Sequence, residues 1–218
     1  MILKEVFGDN RVVAVCGDKS TGKTNNLIAL IMDFRETNKT TPIYVYGLNY
    51  KSITWLKQFG NIYEVSSIEQ ISKKKDALIV IDEFQRLKLN DKRYKDLLNE
   101  FIDFIYHKNN WVLLCSPNLR EFNSVIGSKI EGWILKSLNI NNLINGSQLK
   151  KVVLSYNGNY KSIDCIDIEQ NKILIINSEH EKIATLKYIK EVDSKLDNKN
   201  IFNVEKNSQE KKSETEKE

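Results

Sequence analysis

The sequence predicts an α/β domain built on a mostly parallel sheet. Short apolar runs of strand length recur, each closed by a charge, a glycine or a proline. Between them lie stretches with apolar residues at helical spacing, and the two patterns alternate through the first 120 residues or so. Arg11–Cys16 (RVVAVC) opens the series as a buried strand ending at a glycine. Lys23–Asn38 carries Leu27, Ile28, Leu30, Ile31 and Phe34, the stripe of an amphipathic helix. Pro42 introduces a second strand, Ile43–Tyr46. Ile53, Leu56 and Phe59 predict a short helix, and Ile62–Val65 a third strand. Ala77–Ile81 (ALIVI) is wholly apolar and predicts a strand buried on both faces. Tyr94–Tyr106 is the next helical stripe, and Trp111–Cys115 (WVLLC) runs into Ser116-Pro117 as the next strand.

Beyond residue 130 the pattern changes. Lys150–Tyr156 and Tyr160–Ile166 flank Asn157-Gly158, the signature of a tight hairpin, and Lys172–Ile176 (KILII) adds a strand. The C-terminal part is therefore expected to append antiparallel strands to the same sheet, over about 130–176. The expected organisation is one domain over 1–202 and a disordered charged tail over 203–218, where NVEKNSQEKKSETEKE has almost nothing apolar to bury.

Composition narrows the function classes. The 218 residues are 41% hydrophobic, enough for a packed core, and contain only 2 Pro and 9 Gly, which excludes collagen-like and Pro-rich architectures. The cysteines Cys16, Cys115 and Cys165 stand singly in apolar runs and there are only 2 His, so neither a disulfide framework nor a zinc site is expected. Buried thiols in a reducing cytoplasm are the simple reading. No run approaches the ~18 apolar residues of a membrane span, and Lys4 and Glu5 interrupt the N-terminus before it resembles a signal peptide. Net charge is +4, from 33 basic and 29 acidic residues, and this mild excess identifies no partner. The basic residues are mostly Lys; the five Arg are Arg11, Arg35, Arg86, Arg93 and Arg120.

Two motifs carry chemistry. Gly17-Asp18-Lys19-Ser20-Thr21-Gly22-Lys23-Thr24 fits G-x-x-x-x-G-K-[ST] throughout, between a predicted strand and a predicted helix. Such a loop turns successive N–H groups toward a phosphate, with the helix N-terminus behind them. Lys23 is then expected to neutralise β- and γ-phosphates, and the Thr24 hydroxyl to ligate Mg²⁺. The second motif is Asp82-Glu83 at the end of ALIVI. Asp82 is the expected second metal carboxylate, acting through water, and Glu83 the general base that polarises an attacking water. A solvated helix cap is the competing reading of the pair, and it leaves the phosphate motif without its usual companion.

Together GDKSTGKT, ALIVIDEF and WVLLCSPN resemble the P-loop (RecA-like) ATPases with an added strand and a catalytic glutamate. Within these the chain resembles the FtsK–HerA superfamily, in the shape of the genome-packaging ATPases of membrane-containing icosahedral viruses. The resemblance spans roughly residues 8–176. It implies ATP and Mg²⁺ as cofactors, a homo-oligomeric ring, and double-stranded DNA as the translocated partner. It also implies a polar γ-phosphate sensor at the tip of WVLLC, for which Asn118 is preferred over Ser116; that superfamily commonly has Gln there. An arginine finger from a neighbouring subunit is implied as well. Arg120 is the first candidate, ahead of Arg86 and Arg93, with Lys19 as an alternative acting in cis. Lys73-Lys74-Lys75, Lys129, Lys136, Lys150 and Lys151, with Trp133 and Tyr156, are the residues available to touch DNA, although a solvated face with core aromatics is the simpler reading. The tail could meet a capsid or portal protein, in a host cytoplasm or virion. Two other readings stand beside this one. An AAA-like helicase loader calls for a helical lid where strands are expected, and a nucleotide-switched phage assembly protein calls for a membrane span.

Overall fold

The computed structural model describes residues 2–87, 91–117, 122, 126–139, 165–166, 172–177 and 181–192. Contacts divide the chain into two compact units, 1–188 and 189–218. Of the second, the described part includes a single 3₁₀ turn, Lys190–Val192.

In the first unit the chain runs α1 (Ile2–Phe7), β1 (Val12–Cys16), α2 (Lys23–Thr37), β2 (Ile43–Tyr46), α3 (Tyr50–Lys57), β3 (Ile62–Glu64) and α4 (Ile68–Ser72). It continues with β4 (Leu78–Ile81), a 3₁₀ turn (Phe84–Arg86), α5 (Lys92–Asp103), β5 (Trp111–Ser116) and β6 (Gly132–Leu135), then β7 (Leu138–Asn139), β8 (Cys165–Ile166), β9 (Lys172–Ile176) and β10 (Glu181–Thr185). One eight-stranded sheet has the order β10-β9-β6-β1-β5-β4-β2-β3. The six strands from β6 to β3 are parallel, whereas β9 and β10 join antiparallel beside β6. β7 and β8 form a separate antiparallel pair.

The alternation of a pleated strand sorts the core onto two faces. Val12, Ala14 and Cys16 of β1, Ile79 and Ile81 of β4, and Val112 and Leu114 of β5 share one cluster with Leu98, Phe101 and Ile102 of α5. The buried residues of α1, α2 and α3 lie outside this cluster and cover the other face, opposite Val13, Val15, Val80 and Leu113. Both faces of the central strands are dry, as an all-apolar strand such as ALIVI requires.

The predicted mixed α/β sheet with C-terminal antiparallel strands is the observed one. The strands at 43–46 and 172–176 match residue for residue, and the helices predicted over 23–38 and 94–106 are α2 and α5. Five elements are additions: α1, α4, β6, β7 and β10. The Asn157-Gly158 hairpin, with Lys150, Lys151 and Tyr156, and the tail lie outside the described residues, apart from Cys165–Ile166 at the hairpin's end, which pairs with β7.

Candidate nucleotide site

The site lies at the C-terminal ends of β1, β5 and β4. β5 stands between the strand before the phosphate motif and the strand ending in Asp82-Glu83, with Cys16 beside Ser116 and Ile81 beside Leu114. The added strand that the resemblance implies is therefore in place.

The loop after β1 is closed on itself. Asp18 O accepts both Thr21 Oγ1 (2.8 Å) and Lys23 Nζ (2.5 Å). Ser20 and Gly22 adopt left-handed backbone at φ 63° and 85°, a conformation that gathers N–H groups into a concavity. Helices α3, α4 and α5 have side-chain caps from Asn49, Ser67 and Asp91, but α2 begins at Gly22 with none. The N–H groups of the first turn of this 15-residue helix are thus left for an anion.

Gly17 is fixed by a close approach. The β1–β6 ladder continues past the strands through Lys136 N to Cys16 O and Asp18 N to Ser137 O, each 2.8 Å. A Cβ on Gly17 would fall 2.5 Å from Lys136 Cβ, so β6 forms one wall of the phosphate loop.

Strand alternation turns Asp82 toward the α2 face. Its Oδ2 accepts Thr24 Oγ1 at 3.0 Å, its Oδ1 accepts Glu83 N at 2.9 Å, and the Cys115 thiol also donates to it. Burial pushes the Asp82 carboxyl upward against these three bonds. A hydroxyl and a buried carboxylate side by side are hard oxygen donors of the kind Mg²⁺ takes, and a cation would relieve the cost of burying that charge. The residues fit the ion.

Glu83 follows at φ 50°, ψ 52°, which takes the chain out of the strand direction into the 3₁₀ turn. Its carboxylate is half-buried and ion-paired with Arg86 three residues on. Gly47, just after β2, supports the same corner. It has φ 86°, and a Cβ there would lie 2.2 Å from Asp82 O. Gly47→Ala should therefore displace Asp82, costing about 2–4 kcal/mol of stability and most of the metal-dependent chemistry. Thermal unfolding checks this; a Tm within about 2 °C of the parent would contradict it.

No protein-family model and no curated protein sequence matches the chain. Solved structures do. The genome packaging NTPase B204 of Sulfolobus turreted icosahedral virus 2, in complex with ATPγS, superposes with a TM-score of 0.56 at 13% identity, over 82% of this chain and 97% of that one. The cytoplasmic domain of the Thermomonospora curvata type VII secretion ATPase EccC matches 84% of this chain with a TM-score of 0.59 at 12% identity, across 24% of its own length. EssC (ATPases 2 and 3) from Geobacillus thermodenitrificans matches 84% of this chain and 40% of its own, with a TM-score of 0.53 at 10% identity. The chain shares its fold with these proteins.

Within this fold the motif residues from Gly17 to Thr24 converge with Asp82 and Glu83, Thr24 bonding Asp82 directly. Ser116 is fully buried at the tip of β5. Asn118 and Arg120 lie outside the described residues. The other arginines have legible surroundings. Arg11 lies over the Trp111 ring, 4.3 Å from its centroid. Arg35 clamps a loop by donating to Asn38 O, Lys39 O and Asn61 O. Arg93 stands in the first turn of α5 among Glu69, Asp96 and Glu100.

Three of the residues available for DNA are otherwise engaged. Lys129 pairs with Asp103 at 2.6 Å, and Trp133 packs edge-on against Phe122. Lys136 is fully buried, its ammonium donating to Lys172 O, and burial pulls its pKa down to about 8. Cys16 and Cys115 are buried thiols outside any disulfide, on opposite faces of the sheet, as their apolar contexts predict. Burial pushes the Cys16 thiol up to about 12 and raises the Cys115 thiol well above the usual thiol range, so both are inert. Among the described residues no helix is long and apolar enough to cross a membrane. Gly47 is a site residue that sequence reasoning did not find, and Lys136, expected among the residues available to DNA, instead walls the loop at Gly17.

Proposed function

We propose that the chain is a Mg²⁺-dependent ATPase whose turnover drives movement of double-stranded DNA, with viral genome packaging as its setting. The observation that carries the reading is the uncapped α2 N-terminus, with Lys23 held at Asp18 O and Thr24 bonded to the buried Asp82 beside Glu83. The N–H groups of residues 18–24 and the Lys23 ammonium take the phosphates. Thr24 and Asp82 would hold Mg²⁺, which supplies positive charge against the charge developing on the transferred group. Glu83 accepts a proton from water as the water oxygen attacks the γ-phosphorus and the bond to the β-phosphate oxygen breaks. Asn118 orients that water, and Arg120 of a neighbouring subunit in a ring offsets the transition-state charge.

The DNA part of the reading draws on the likeness to a genome packaging NTPase over nearly that protein's whole length. The AAA-like alternative wants a helical lid after the core, where 172–176 and 181–185 form β9 and β10 instead. The test is ATP turnover by the full chain with and without double-stranded DNA at matched ionic strength, because phosphate contacts are strongly salt-dependent. Severalfold stimulation is the expected result. Indifference to DNA at low salt would remove the motor reading and leave a nucleotide switch.

A further inference from the structure

We infer that Arg86 is a positioning residue for Glu83 within its own subunit, holding one carboxylate oxygen while the other is presented to water. The inference rests on the general-base reading of Glu83. Three anchors fix the segment that joins the two side chains. Glu83 N donates to Asp82 Oδ1 at 2.9 Å, and Arg86 N donates to Glu83 O at 2.7 Å. Between them Phe84 is fully buried and stacks on Phe122 with ring centroids 5.3 Å apart. The left-handed backbone at Glu83 and this pinned turn carry Arg86 back alongside Glu83, where its Nε meets Oε2.

Stability does not explain the pair. The two side chains are 65% and 36% exposed, and an ion pair between side chains exposed to this extent adds little to folding even though Oε2 itself is covered. Its effect is on freedom. A glutamate side chain has three rotors, and a base that wanders spends most of its time out of reach of the reacting water. Tethering Oε2 leaves Oε1 as the proton acceptor in a defined place. Arg86 is thereby committed to the Glu83 of its own chain, whereas a finger acts on a neighbour.

The experiment compares Arg86→Ala and Arg86→Lys with the parent full chain in steady-state ATP hydrolysis, alongside thermal unfolding. For Arg86→Ala, kcat should fall about 10- to 100-fold with KM for ATP and Tm unchanged, and Arg86→Lys should recover most of the loss. If Arg86→Ala does not fold, Arg86→Gln takes its place. Unchanged kcat, a parallel loss of Tm, or no rescue by lysine would overturn the inference. So would recovery of activity on mixing Arg86→Ala with Glu83→Gln, since that requires Arg86 to serve a neighbouring subunit. Failure of the underlying reading looks different: Glu83→Gln would itself hydrolyse ATP at the parent rate.

Discussion

Glu83→Gln should bind ATP as the parent does and hydrolyse it about 10²- to 10⁴-fold more slowly. The substitution keeps the size and shape of the side chain, so the left-handed turn and the Phe84 anchor are undisturbed. It removes the ion pair with Arg86, which contributes little to folding at this exposure, so Tm should hardly move. What disappears is the basic oxygen. A neutral amide cannot take the proton that attacking water must release, and a thousandfold loss corresponds to about 4 kcal/mol of barrier. Nucleotide binding by calorimetry and single-turnover hydrolysis separate the two effects. Turnover within about threefold of the parent would exclude Glu83 as the base.

Lys23→Ala should lose nucleotide binding altogether at concentrations that saturate the parent. The ammonium is held against the loop by Asp18 O, and hydrogen bonds to charged groups are worth about 1.5–3 kcal/mol each. Losing two such bonds to phosphate oxygens weakens binding by roughly 10²-fold or more. The loop should survive, because Thr21 Oγ1 still bonds Asp18 O and the backbone ladder to Lys136 and Ser137 is untouched. Calorimetric titration with ATP, checked against unchanged circular dichroism, reads this out. An affinity within about threefold of the parent would mean that backbone N–H groups alone hold the phosphates.

What could be read from the sequence was local. The phosphate motif announces its chemistry in eight consecutive residues, and the strand alternation of ALIVI already places Asp82 at a buried tip. Gly47 carried only the weak signal of a glycine after a strand. Its reason for being glycine is Asp82, which sits on the next strand in space but much later in the chain, and strand order is not written in any window. Lys136 misled for a similar reason. A lysine after an apolar run reads as a solvated end, but this one lies under the antiparallel strand β9, whose Lys172 O accepts its ammonium. The helix α1 is only six residues long and was hidden by its lack of a full apolar period; tertiary contact with α2, including Leu3 N to Asp33 Oδ2 at 2.7 Å, sustains it. Arg86 was legible as an arginine near the acidic pair, but its allegiance was not. That depends on a left-handed residue at Glu83, which no propensity predicts for a glutamate.

The place of β1 in the sheet bears on how the chain comes off the ribosome. β1 is made well before both of its flanking partners, β5 and β6, with Val12 beside Val112 and Val13 beside Gly132. Until residues 111–116 have emerged both edges of this apolar strand lack their permanent neighbours, and until residues beyond 130 follow, the β6 edge stays open and Gly17 lacks the wall formed by Lys136. Pairings this distant are slow to form and leave strand edges open to unwanted association in the interval. The loop that would hold ATP is therefore made before the strands that complete it, so a nascent chain still lacking β5 and β6 has no finished nucleotide site.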